Sequence, residues 1–175
     1  HVLARLPRLR VIVTSGLANA ALDLDAAHRL GITVCGTRVA EAITSTVEHV
    51  WALILGLARN LATEDAAIRA GGWMTGLGPL LHGKVLGLVG IGNIGSLMPP
   101  VARALGMHVV AWSRNLGDER AGQVGVDRLD HDEFFARADV VSVHLKSSPR
   151  SRHYVGAEQF ASMKPGVLFV NTSRG

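Results

Sequence analysis

Residues Lys84-Val85-Leu86-Gly87-Leu88-Val89 make an apolar stretch of strand length that runs without a break into Gly90-Ile91-Gly92-Asn93-Ile94-Gly95, a G-x-G-x-x-G pattern. No other segment restricts the possible folds as much. A strand ending in this pattern needs a tight turn at Gly90, close approach of backbone to a ligand at Gly92, and close packing of a following helix on the sheet at Gly95. The start of that helix presents unsatisfied N–H groups and the positive end of its dipole to a single spot. The pyrophosphate of a dinucleotide is the natural occupant.

Glycine supplies 20 of the 175 residues, so such a pattern arises readily by chance and its context has to decide. The context agrees. A helical stretch through Ala102-Arg103-Ala104-Leu105 follows, Gly106 is placed to end it, and Met107 to Trp112 reads as the next strand, completing a βαβ unit. Pro99 and Pro100 break a local rule. Each lacks an N–H for the helix ladder, so a kink or loosening is expected there, with the ligand-binding helix start spared.

Strand and helix patterns alternate along the rest of the chain. Leu9 to Thr14 reads as a strand, Asp23 to Leu30 as an amphipathic helix closed by Gly31, and Ile32 to Cys35 as a second strand. A long apolar helix is expected from Val39 to Leu61, with Val47, Val50, Ile54 and Leu57 at helical spacing and the run Val50 to Leu57 buried. A loose Gly-rich stretch, Gly71 to Pro79, leads to the cradle strand. Beyond it come a short strand at Val124-Gly125-Val126, a helix from Asp130 to Arg137 capped by Asp130, and a buried strand from Val140 to Leu145. A helix at Glu158 to Met163 and an apolar strand at Val167 to Val170 complete the series. The expected fold class is α/β, a Rossmann-type doubly wound parallel sheet.

Composition excludes several classes of function. The 18 Lys and Arg against 14 Asp and Glu form no basic run, and only 5% of residues are aromatic, so no nucleic-acid surface is indicated. Cys35 is the single cysteine, which rules out an internal disulfide and any cysteine cluster for a metal, and fits a reducing cytoplasm. The run Val50 to Leu57 is too short for a membrane span, so no membrane partner is expected. Both ends read as cut, because the chain starts without Met and its last strand stops just past an arginine.

Taken with the apolar helix and the terminal Val170-Asn171-Thr172-Ser173-Arg174-Gly175, the cradle resembles that of the D-isomer-specific 2-hydroxyacid dehydrogenases. The resemblance extends over nearly the whole chain. Val11 to Gly36 is similar to the last part of that family's flavodoxin-like α/β substrate domain, Ser45 to Leu53 to its interdomain helix, and Leu81-His82-Gly83-Lys84 to the lead-in of its cofactor strand. Val143-His144-Leu145 and Met163-Lys164-Pro165-Gly166 also match. The implied division is residues 1–37 as the end of the substrate domain and 38–175 as an NAD(P)-binding Rossmann domain truncated at its C-terminal end.

Membership implies hydride exchange between NAD(P)(H) and C2 of a small 2-keto or 2-hydroxy acid, in a homodimer. Arg174 would grip the substrate; it follows an apolar strand where a doubly wound sheet opens its crevice, and its fork of donors suits a carboxylate or a polarised carbonyl. The loop Gly16-Leu17-Ala18-Asn19 corresponds to the family's substrate-carboxylate loop, giving Leu17, Ala18 and Asn19 as substrate residues, although Asn19 reads equally as a turn residue. The cofactor residues implied are Gly90, Gly92, Asn93, Ile94, Gly95, Ser113, Arg114, Leu145, Thr172 and Ser173. The family's acid–base histidine and its carboxylate partner would lie beyond Gly175, so residues 1–175 alone are expected to be inactive. His144 reads as a satisfied strand-end residue beside the cofactor, and His28, His82, His108, His131 and His153 as surface or loop positions.

At the end of the second cradle strand, a carboxylate would select NAD by binding both ribose hydroxyls. Here Ser113 holds that position, with Arg114 and Asn115 after it, so a neutral donor and a guanidinium face the place of a 2′-phosphate and NADP(H) is favoured. The alternative is that Arg114 points into solvent and NAD is used. Two rival functions share the fold: a non-catalytic, NAD(H)-sensing corepressor-like module, and a hydrolase that uses bound NAD transiently.

Overall fold

A computed structural model describes residues 2–14, 16, 19, 21–37, 41–146, 148 and 150–173. The chain divides into two compact units, His1–Ala42 and Ile43–Gly175.

In the first unit, strands β1 (Val11–Thr14) and β2 (Thr33–Gly36) pair in parallel, joined through helix α1 (Leu24–Arg29). Asp23 starts that helix by accepting the Ala26 N–H at 2.8 Å, and Ala26 and Ala27 are its buried face. After β1 the Gly16 N–H donates to Thr37 Oγ1, just past β2, at 3.1 Å, and the Ala21 N–H donates to Asn19 Oδ1 at 3.0 Å.

Helix α2 (Glu41–Ala58) carries the chain from the first unit into the second, where α3 (Leu61–Arg69) follows. One long helix was expected; Asn60, in the left-handed region at φ 51°, ends the first and starts the second. Val47, Val50 and Ile54 are buried as their spacing predicts, but Leu57 is 46% exposed and Ala58 is buried in its place. A 100° turn per residue puts position 58 nearly in line with Val47 and leaves position 57 at the margin of the stripe, beside Val50. Leu53 and Leu55 are exposed as well, so the run Val50 to Leu57 is buried on one face only.

Five parallel strands form the main sheet: β3 (Val85–Val89), β4 (His108–Trp112), β5 (Asp127–Arg128), β6 (Val140–Val143) and β7 (Leu168–Asn171), in the order β5-β4-β3-β6-β7. Helices α4 (Met98–Ala104), α5 (Asp118–Val124), α6 (His131–Arg137) and α7 (Ala157–Ser162) connect them. Strand alternation feeds two separate cores. Leu86, Leu88, Val109 and Ala111 pack with Ile54, Met98 and Ala121, while Val89, Val110, Val141 and Val143 pack with Phe134, Phe135 and Met163 on the other face. Helices on both faces of a parallel sheet make the doubly wound fold that the sequence predicts.

Three local expectations are corrected. Pro99 and Pro100 do not kink a helix interior, because α4 starts at Met98 and both prolines fall in its first turn, where N–H groups have no ladder partner. The residues ahead of them, Gly95–Leu97, form a 3-10 turn. The short strand expected at Val124-Gly125-Val126 lies later, at Asp127–Arg128: Val124 ends α5, and Gly125 at φ 67° closes it, with the Val126 N–H bonded to the Ala121 carbonyl at 3.0 Å. Asp130 stands at the start of α6, but its side chain makes no cap bond.

Candidate cofactor site

The chain leaves β3 for β4 on one side and returns to β6 on the other, so the sheet reverses its winding between β3 and β6. Beyond the carboxyl ends of such neighbours a doubly wound sheet leaves a crevice. Gly90 turns the chain out of β3 at φ 98°, its N–H bonded to the Trp112 carbonyl at 3.0 Å. A Cβ at Gly90 would meet Leu145 Cδ2 at 2.9 Å and the His144 carbonyl at 3.3 Å. At Gly95 a Cβ would collide with the Gly90 carbonyl oxygen, so the turn lies directly on the strand end. At Gly92 it would meet no atom within 4 Å.

The three glycines therefore divide as their spacing implies: conformation at Gly90, open room at Gly92, close packing at Gly95. Among the described residues no acceptor takes the N–H groups of Gly92, Asn93 or Ile94. Unclaimed donors beside open space fit a pyrophosphate. They belong to a turn that continues as 3-10 helix, not to the α-helix start expected from sequence; the Ser96 N–H bonds Gly92 O at 3.0 Å and the Leu97 N–H bonds Ile94 O at 2.9 Å. The Ile94 side chain packs into the core, leaving its backbone to face the crevice.

Other predicted positions gather at the same edge. Leu145 covers Gly90, and Ser173 ties the ends of β6 and β7 together by donating from Oγ to the Val143 carbonyl at 3.0 Å. Thr172, half-buried, precedes it. Ser113 and Arg114 follow directly on β4. Arg114 does not simply extend into solvent: its guanidinium lies over the Tyr154 ring, 5.0 Å from the centroid, and its backbone N–H donates to the Tyr154 hydroxyl at 2.8 Å. Tyr154 drew no notice in the sequence, and nothing local could have marked it. Asn19 is held as a turn residue, and Leu17, Ala18 and Arg174 lie outside the described residues.

His144 departs from its expected state. Its Nε2 lies 3.0 Å from the Oγ of the fully buried Ser142, but its Nδ1 is buried with no partner among the described residues. Burial pushes the imidazole down to about 4, so it is neutral at pH 7. His131, expected at the surface, is half-buried with its ring edge-on to Trp112 at 4.6 Å.

Comparison with known proteins agrees with this geometry. Residues 51–175 match the family described as D-isomer specific 2-hydroxyacid dehydrogenase, NAD binding domain. The chain is 37% identical to a D-3-phosphoglycerate dehydrogenase of Mycobacterium leprae over all of its own length and 33% of that protein's. It is 33% identical to a glyoxylate reductase of Aeropyrum pernix, covering 99% of this chain and 54% of the relative. A crystal structure of a phosphoglycerate oxidoreductase from Vibrio cholerae superposes with a TM-score of 0.91 at 33% identity, covering 98% of this chain and 56% of that one. The chain thus spans from a third to about half of the length of these relatives. It belongs to the D-isomer-specific 2-hydroxyacid dehydrogenases, and residues 51–175 are its match to their NAD-binding domain.

Proposed function

We propose that this chain is the cofactor-holding part of an enzyme that transfers a hydride between NADP(H), in preference to NAD(H), and C2 of a small 2-keto or 2-hydroxy acid. The observation that carries this reading is the glycine turn at the β3–β6 switch point, with open room at Gly92 and unclaimed N–H donors beside it. The nicotinamide supplies or accepts the hydride when bound. Gly92, Asn93 and Ile94 hold the pyrophosphate through backbone N–H groups, Gly90 and Gly95 shape the turn, and Leu145, Thr172 and Ser173 border the crevice. Arg174 grips the substrate's carboxylate or carbonyl oxygen, with Leu17, Ala18 and Asn19 in the substrate loop. Residues 1–37 are the end of the substrate domain and 38–175 the cofactor domain.

Arg114 supports the NADP(H) preference: it follows β4, where a 2′-phosphate would lie, and no carboxylate precedes it at Ser113. A homodimer is supported by the apolar stretch after α3, where Trp73 is 81% and Leu77 86% exposed. The single exposed thiol, Cys35, fits a cytoplasmic protein. Among the described residues no helix is long and apolar enough to cross a membrane.

The test uses the full-length protein. It should oxidise NADPH faster than NADH with at least one of glyoxylate, hydroxypyruvate, pyruvate or a bulkier 2-keto acid, and should sediment as a dimer. Arg174→Ala should lower kcat/KM by about 100-fold or more, and Arg114→Asp should turn the preference toward NADH. Nucleotide binding without turnover of any 2-keto acid would favour the sensing module instead.

A further inference from the structure

Forty residues separate Arg114 from the only tyrosine of the chain, yet the two are in contact through both backbone and side chain. Tyr154 accepts the Arg114 N–H at 2.8 Å, fixing the first residue of the turn that leaves β4. Its ring supports the guanidinium from below and itself packs on Trp112, the last residue of β4, with centroids 4.8 Å apart. The arginine thus stands on an aromatic stack rooted in the sheet. The loop carrying Tyr154 has its own ties: Ser151 Oγ accepts the Ser148 N–H at 2.8 Å and donates to the Lys146 carbonyl at 2.9 Å.

An exposed arginine samples many rotamers and loses that freedom when it grips a phosphate. A ring engages the guanidinium as a cation and accepts no conventional hydrogen bond, so donors of its five-donor fork remain for a phosphate. The ring beside Arg114 therefore orders it while leaving donors that a phosphate would need. Among the described residues no carboxylate pairs with Arg114 to compete for them. We propose that Tyr154 is a positioning residue for cofactor choice, holding Arg114 ready for the 2′-phosphate of NADP(H). This rests on the reading of Arg114 given above.

Titrating the full-length protein with NADPH and with NADH tests it. Tyr154→Leu should raise the Kd for NADPH by about tenfold and change that for NADH by less than about twofold. Tyr154→Phe keeps the ring and loses the hydroxyl, and should raise the NADPH Kd by about threefold; it decides the matter if the leucine variant does not fold. Adding Tyr154→Leu to Arg114→Ala should weaken NADPH binding no further, since the tyrosine acts through the arginine. If Arg114→Ala weakens NADPH binding but the tyrosine variants leave it unchanged, or weaken both nucleotides equally, Tyr154 has no part in selection while the reading of Arg114 stands. If Arg114→Ala leaves NADPH binding unchanged, that reading fails and the role of Tyr154 falls with it.

Discussion

At the amino edge of the main sheet one carboxylate gathers several partners, whereas at the carboxyl edge a few donors are left open. Asp139, just before β6, accepts the Val85 N–H at 2.8 Å and the Lys164 ammonium at 3.0 Å, with Lys84 at 3.9 Å. Its own N–H and carbonyl bond Val85 and Leu168, so one residue joins β3, β6 and β7. Burial pushes its carboxyl up, but the Val85 N–H and the lysines outweigh that and hold it below the ordinary carboxylate value. Across the sheet, among the described residues, Gly92, Asn93 and Ile94 keep unused donors and His144 Nδ1 has no partner. Solvent can serve the donors of the exposed Gly92 and Asn93, whereas the buried His144 Nδ1 costs stability for want of a partner.

The largest expected effect breaks the open edge outright. Gly95→Ala places a methyl on the Gly90 carbonyl oxygen and should cost roughly 3 kcal/mol in denaturant unfolding, with loss of NAD(P)H binding. Wild-type stability would show that the turn can move off the strand. Acid acts next. The unfolded chain protonates His144 near 6.5 and the folded chain only at about 4, so its contribution is complete above the first value and is lost as pH falls toward the second. That loss is on the order of 3 kcal/mol, and His144→Gln should flatten the slope of unfolding free energy against pH in this window. Asp139→Ala should cost about 2 kcal/mol while leaving NAD(P)H affinity within about twofold, because it disturbs only the paired edge. The smallest change in stability sharpens the contrast most. Gly92→Ala meets no protein atom and should leave unfolding within about 0.5 kcal/mol of wild type, yet weaken NAD(P)H by about tenfold, because the methyl takes space the phosphates need.

Much of this was legible in the residues. The strand into Gly90, the packing role of Gly95, and the faces carrying Val47, Val50 and Ile54 follow from glycine sterics and helical period. Helices α3 and α5 escaped notice because Leu61–Arg69 buries no residue and Asp118–Val124 only Ala121, so neither has a full apolar stripe to read. Counting from the motif located Ser113 and Arg114, but nothing near Tyr154 in the chain points to its partner.

The sequence by itself determined where the backbone turns and which stretches alternate, since those depend on local sterics and on the period of apolar side chains. Only the tertiary structure decided that the turn leaving Gly92 is 3-10 helix, that Asp139 ties three strands together at one edge, and that Tyr154 lies against Arg114. Those outcomes depend on contacts between distant residues, whose geometry is fixed only once both cores have packed against the sheet.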